Sequence, residues 1–134
     1  MEEAVRLLLI SDHEHLEWSF QAIVKEAWRG DPTDLSERWR NFERELLAHL
    51  DTEEEDLIRL FGEYEPLEAR ELIAEHQQIR VTATEMGIDL DLHCLRAARV
   101  QAFVDQLRAH AQREERLLYP WATQRLGEIG RAHV

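Results

Sequence analysis

The feature that most constrains the fold of this chain is a helical repeat of apolar residues that recurs in four segments. Apolar residues return every three or four positions over residues 3–29, 34–61, 66–86 and 92–126, which is the spacing of a helix that buries one face. Short stretches with Gly and Pro or Asp separate the segments, at residues 30–33, 62–66 and 87–91. The pattern predicts one all-α domain over residues 1–126, an up-down-up-down four-helix bundle, and a frayed tail over residues 127–134.

The composition excludes several classes of protein. A length of 134 residues fits one domain, and a formal net charge of −12 argues against nucleic acid or an anionic membrane as a partner. No apolar run reaches the roughly 18 to 20 residues that span a bilayer, and residues 5–10 lack the flanks of a signal peptide. A cytoplasmic protein is therefore expected. The single cysteine, Cys94, excludes an internal disulfide and a multi-cysteine metal site.

Each apolar stripe contains one histidine near its middle. In the second and fourth segments a glutamate follows that histidine four residues later and so stays on the same helix face. An ionised carboxylate in a bundle core is costly unless it is paired or bound to a metal. The residues singled out in this way are His13, His49, Glu53, His76, His110 and Glu114.

The heights of these residues along the bundle can be compared by their distances from the connections, because facing residues lie equally far from the loop that joins their helices. His13 and His49 lie equally far along the chain from Asp31, the middle of the first break. His110 lies much further along the chain from Asp89, the middle of the third break, than His76 does. This mismatch predicts a stretched connection after residue 86 in place of a tight turn.

Four imidazoles and two carboxylates that converge inside a bundle predict a transition-metal site. Imidazole suits iron, zinc, copper or nickel, and carboxylates can bridge two cations. Without cysteine, the set favours two irons that share both carboxylates, with manganese or zinc as alternatives. The expected arrangement is one metal held by His13 and His49, the other by His76 and His110, with Glu53 and Glu114 between them. Positions left on each metal would admit water or a small ligand.

The stretches around these residues resemble the hemerythrin-like HHE cation-binding domain. They read DHEHL around His13, HLDTEEEDL from His49, EHQQI around His76 and HAQREERLLYP from His110. The resemblance covers nearly the whole chain and implies a non-haem, oxo- or hydroxo-bridged di-iron centre with these four histidines, Glu53 and Glu114 as ligands.

The pattern departs from that of the oxygen-carrying hemerythrins. Their third helix has two histidines four residues apart, whereas Leu72 and Arg80 flank His76 at that spacing. They also use an aspartate five residues after the last histidine, where this chain has Glu114 at four. The four-His, two-Glu set is more similar to di-iron proteins linked to nitric oxide stress.

The expected function is to bind or react with a small oxidant: dioxygen, nitric oxide or peroxide. Alternatives are a non-catalytic oxygen or redox sensor, an iron-storage module, or a structural bundle that holds another divalent metal. Whether the chain is an enzyme is left open. Two further interpretations concern the first helix. Glu17 is interpreted as a solvated residue or a partner of a ligand histidine, and Trp18 and Trp28 suggest a homodimer.

Overall fold

The computed structural model describes the backbone of residues 2–29 and 32–132, and the side chains of residues 13–29 and 34–124. Within those backbone ranges only Glu65 and residues 92–96 lie outside helices, and there is no strand. The helices are α1 (Glu2–Arg29), α2 (Pro32–Glu53), a π-helical turn (Glu54–Ile58), α3 (Arg59–Tyr64), α4 (Pro66–Asp91) and α5 (Ala97–Ala132). Because α2, the π turn and α3 are continuous, the chain forms four helical rods, and the predicted all-α bundle is confirmed.

The rods pack as neighbours around one core. α1 contacts α2 and α5, and α4 contacts α2, α3 and α5. The larger apolar cluster lies towards the α1–α2 connection and includes Phe20, Trp39, Phe42, Met86 and Phe103. A smaller one lies on the side of the α3–α4 connection and is formed by Leu57, Ile58, Phe61, Ala69, Leu72, Leu118, Tyr119 and Ala122. Between the two clusters lies a buried layer of histidine and glutamate.

The π turn changes which residues of the second rod face the core. The apolar repeat predicts Leu57 and Leu60 on the buried stripe. Leu57 is buried as predicted, but Leu60 is 37% exposed, and Ile58 and Phe61 are buried in its place. A π turn inserts one extra residue into the helix, so positions beyond it rotate relative to those before it. The prediction for Leu60 is therefore wrong, because it assumed an unbroken α-helical period.

The buried face of α5 also differs from the prediction near its C-terminal end. The repeat predicts Leu117 inside the bundle, but Leu118, Tyr119 and Ala122 are buried and Leu117 is 36% exposed. The buried positions run from His110 through Glu114 and Leu118 to Ala122 at intervals of four residues. Pro120 lies inside this helix, which continues past the predicted end at residue 126. The side chains of residues 125–134 lie outside the described part, so the frayed tail stays a prediction.

The third connection differs most from expectation. Residues 87–91 are helical, and the link comprises residues 92–96. α4 ends in a Schellman motif, in which His93 N–H donates to Leu90 O at 3.0 Å and Cys94 N–H to Asp89 O at 2.7 Å. His93 takes the left-handed position, with φ 57°. His76 then lies about as far before the end of α4 as His110 lies after the start of α5. The height mismatch disappears, so no stretched connection over residues 87–91 is needed.

The sequence predicts a helix stop at Gly87, but α4 continues through this residue to Asp91. A Cβ at this position would lie 3.4 Å from Glu43 Oε2 and 3.5 Å from Trp39 Nε1. Those two atoms are joined by a hydrogen bond of 2.8 Å that Trp39 donates. α4 therefore passes over the Trp39–Glu43 pair of α2, and a Cβ at residue 87 would be in ordinary van der Waals contact with that pair.

Candidate metal centre

All six predicted residues lie together in the layer between the two apolar clusters. The first two rods contribute His13 from α1, and His49 and Glu53 from α2; α4 contributes His76, and α5 contributes His110 and Glu114. The spacing of four residues places each histidine of a His-x-x-x-Glu motif one helical turn from its glutamate on the buried face. Glu53 and Glu114 are each 1% exposed, and His76 is fully buried.

The imidazole Nε2 atoms point at the two carboxylates. Glu114 lies 3.4 Å from His13 Nε2, 3.3 Å from His76 Nε2 and 3.4 Å from His110 Nε2. Glu53 Oε1 lies 3.0 Å from His49 Nε2 and 3.8 Å from His76 Nε2. Ligand atoms that lie within 4.8 Å of one another form two groups that share Glu114. One group is His13, His49, Glu53 and Glu114; the other is His76, His110 and Glu114.

The opposite ring nitrogens of three histidines donate to carboxylates outside these groups. His76 Nδ1 lies 3.0 Å from Glu54, His110 Nδ1 lies 3.1 Å from Glu75, and His13 Nδ1 lies 3.2 Å from Glu115. Such a bond fixes the tautomer that leaves Nε2 free to bind a metal. These partners were not among the residues predicted from the sequence, although each directly precedes or follows a predicted ligand. Glu17, the residue considered for this role, instead forms an ion pair with Arg108 at 2.7 Å.

The buried carboxylates differ in their affinity for protons. Burial raises the pKa of Glu53 to about 7, and the neighbouring Glu114 adds to the rise. Burial acts on Glu114 in the same direction, but hydrogen bonds from His110, His13 and His76 outweigh it and hold its pKa well below the usual range. Burial lowers the pKa of His13 and His110, but Glu114 more than offsets this and raises both. Without metal, an ionised Glu114 therefore lies beside His13 and His110, whose protonated forms it stabilises.

This donor set fits a transition-metal ion. Among the described side chains, Glu53 Oε1 and His110 Nε2 are buried and make no hydrogen bond of good geometry. Buried polar atoms of this kind require a partner, and a cation at the centre of either group would provide one. Imidazole and carboxylate donors without cysteine match iron, manganese or zinc.

Tyr119 lies at the edge of the first group. Its hydroxyl is 2.5 Å from His13 Nε2 and donates to Glu53 Oε2 at 3.2 Å. Burial raises the pKa of the Tyr119 phenol further above its ordinary value, with the charges of Glu53 and Glu114 contributing. The phenol is therefore neutral and acts as a hydrogen-bond donor. From the sequence, Tyr119 is interpreted as a core aromatic residue near the height of the site, with hydrogen-bond donation to a bound ligand or electron transfer as the alternatives.

Replacing Tyr119 with Phe is expected to leave metal stoichiometry unchanged, because the phenol is outside both donor groups. The metal-free variant should lose about 1 to 2 kcal/mol of stability, since one hydrogen bond disappears and Glu53 loses a donor. Elemental analysis and thermal unfolding of the two proteins measure both effects. A loss of one metal per chain in the variant would instead make the phenol oxygen a ligand.

A cavity of about 500 Å³ adjoins the histidine layer. Its inner wall includes His13, His49, His110 and Glu114. The remaining wall is mainly apolar, with Leu16, Phe20, Leu46, Leu50, Ile79 and Leu107, and polar residues such as Glu17 and Arg108. The cavity gives a small molecule a direct approach to the candidate ligands.

Two other observations bear on the expectations from sequence. No helix among the described residues is both long and apolar enough to cross a membrane. Trp18 and Trp28 are each 64% exposed, and the homodimer they suggest stays a prediction.

Comparison with known proteins identifies one family. The model of the hemerythrin HHE cation-binding domain matches residues 7–122, which include all six candidate ligands. No curated protein and no solved structure matches the chain.

Proposed function

The chain belongs to the family of hemerythrin HHE cation-binding domains, and from this premise we propose that it is a non-haem di-iron protein that binds or reacts with a small oxidant. The ligands proposed are His13, His49, Glu53, His76, His110 and Glu114. Dioxygen, nitric oxide and peroxide are the candidate oxidants. A sensor, an iron store and a bundle that holds zinc or manganese are the other outcomes of the experiment below.

The observation that carries the proposal is the position of Glu114 between two groups of imidazoles. Its carboxylate is a member of both donor groups, and its oxygens lie 3.3–3.4 Å from three different Nε2 atoms. A carboxylate can bind one cation through each oxygen, so Glu114 suits a centre with two ions. Glu53 lies between His49 and His76 and supports a second bridge.

Two iron ions bound in this layer would supply redox electrons to an oxidant. The protein residues would hold the ions from four helices and fix the ring orientations through the Nδ1 hydrogen bonds. The Tyr119 hydroxyl lies beside His13 and Glu53, where it could donate a hydrogen bond to a small ligand. The apolar residues in the lining of the adjoining cavity suit a small uncharged molecule.

Anaerobic reconstitution of the metal-free protein with ferrous iron tests this proposal. We expect two irons per chain by elemental analysis, and a change in the visible spectrum when dioxygen, nitric oxide or peroxide is added. Iron that binds at two per chain without any spectral response to the three oxidants would favour storage. Failure to bind iron, together with stoichiometric zinc binding, would contradict the proposal.

A further inference from the structure

Two arginines hold the carboxylates that accept hydrogen bonds from the second pair of histidines. Arg80 lies one turn after His76 on α4 and forms a close ion pair with Glu54, the acceptor of His76 Nδ1. Arg80 also contacts Asp51 at 2.8 Å. The Glu54 carboxylate therefore lies between the His76 imidazole and the Arg80 guanidinium.

The same arrangement recurs between α4 and α5. Arg113 lies three residues after His110 on α5 and forms a close ion pair with Glu75, which accepts from His110 Nδ1. Glu71 and Glu68, both on α4, also pair with this guanidinium, Glu68 at 3.4 Å. In each case a histidine and an arginine of one helix hold a single carboxylate of the neighbouring helix between them.

His13 has no comparable support among the described side chains. Its Nδ1 donates to Glu115, whose side chain is 52% exposed. Within residues 13–29 and 34–124, no arginine pairs with Glu115. The Nε2 of His13 also lies 2.5 Å from the Tyr119 hydroxyl, so a metal must compete with this contact.

From this difference we infer that Arg80 and Arg113 are positioning residues, which make the metal held by His76 and His110 the more tightly bound of the two. The inference rests on the proposed two-metal centre and adds an order of binding to it. The metal beside His13 and Tyr119 is then the exchangeable one.

The physical reason is the fixed orientation of the ligand rings. A carboxylate hydrogen-bonded to the distal nitrogen orients an imidazole and increases its basicity, and its loss typically costs 10- to 100-fold in metal affinity. A glutamate that no arginine holds gives only part of this effect, because its side chain also samples other rotamers. The guanidinium fork restricts Glu54 and Glu75 to the productive position, so less ordering is required when the metal binds.

The test is a calorimetric titration of the metal-free, full-length chain with ferrous iron under anaerobic conditions. Wild type should show a tight and a weaker step. Arg113→Gln should weaken the tight step by about 10-fold at most, because Glu75 still accepts from His110 and keeps part of the effect, and it should change the weaker step less than about twofold. Arg80→Gln should act on the same step, and Arg113→Lys should recover part of the loss. His110→Gln should remove the tight step, whereas His13→Gln should remove the weaker one.

Arg99→Gln is the matched control. Arg99 also joins α5 to α4, through Glu85 at 3.0 Å and Asp89 at 3.9 Å, but neither carboxylate contacts a candidate ligand. Circular dichroism of each metal-free variant verifies that its helices are retained. Equal weakening of both steps by Arg113→Gln, or an equal effect of Arg99→Gln, would overturn the inference while two-metal binding stands. A wild-type protein that binds fewer than two irons would overturn the proposed function and the inference together.

Discussion

Replacement of Glu114 with alanine is expected to reduce binding from two metal ions per chain to one at most. Glu114 is the carboxylate common to both donor groups. Without it the second group keeps only His76 and His110, because Glu53 is a member of the first group and lies 3.8 Å from His76 Nε2. Two imidazoles are fewer protein ligands than the three or more of typical metal sites. Elemental analysis after reconstitution and removal of excess metal measures the stoichiometry.

The same substitution should destabilise the metal-free protein. Glu114 accepts hydrogen bonds from buried histidines whose positive charge it stabilises. Removing one partner of a buried ion pair leaves the other charge uncompensated, which costs about 3 to 5 kcal/mol. Glu53→Gln should destabilise the metal-free protein less than Glu114→Ala does. The pKa of Glu53 is raised to about 7, so a neutral side chain is already partly present at neutral pH.

Glu55→Ala is the control for loss of an acidic residue near the centre, since Glu55 is exposed and is in neither donor group. Its metal content and stability should match wild type. If Glu114→Ala retains two metals at wild-type affinity, Glu114 does not bridge them.

The six candidate ligands could be predicted from sequence because each lies on a regular stretch of helix. Between His49 and Glu53, and between His110 and Glu114, the α-helical period is unbroken, so spacing fixes the helix face. Each motif is also embedded in an apolar stripe, which distinguishes it from His15 and Glu45, an exposed pair. Local periodicity is therefore sufficient to find this layer.

The residues around that layer could not be predicted in this way. Glu75 and Glu115 reach histidines of other helices, and such contacts depend on which helices are neighbours and on side-chain rotamers. The π turn at Glu54–Ile58 places Glu54 beside His76 and brings Ile58 inward. A π turn depends on tertiary packing and has no sequence signal comparable to Gly or Pro. Gly87 is misleading in the sequence because an isolated glycine is also tolerated inside a helix.

The stability of the metal-free protein is expected to fall as the pH rises from about 5 to 8. Burial raises the pKa of Glu53 from 4.5 to about 7. A carboxyl with a higher pKa in the folded state stabilises the fold while it is protonated, so this contribution is present below pH 4.5 and is lost above about pH 7. The difference between the two pKa values corresponds to about 3 kcal/mol.

The histidines of the layer act in the same direction. The pKa values of His13 and His110 are raised above 6.5, so their contribution is complete below pH 6.5 and is lost as the pH rises through the folded-state values. Glu114 has a lowered pKa, and its contribution is present above pH 4.5 and is lost only on acidification. Glu114 therefore does not offset the decline at neutral pH.

Metal binding should reverse this dependence. A metal competes with protons for the same imidazole and carboxylate atoms, and a ligand stabilises the folded state more as its affinity increases. The stability of the iron-loaded protein should therefore rise over the interval in which that of the metal-free protein falls. Anaerobic denaturant unfolding at pH 5, 6, 7 and 8 measures both slopes.

Glu53→Gln should flatten the metal-free slope because its side chain cannot titrate. A slope unchanged by Glu53→Gln would assign the protons to the histidines, and parallel slopes with and without iron would place the metal away from this layer.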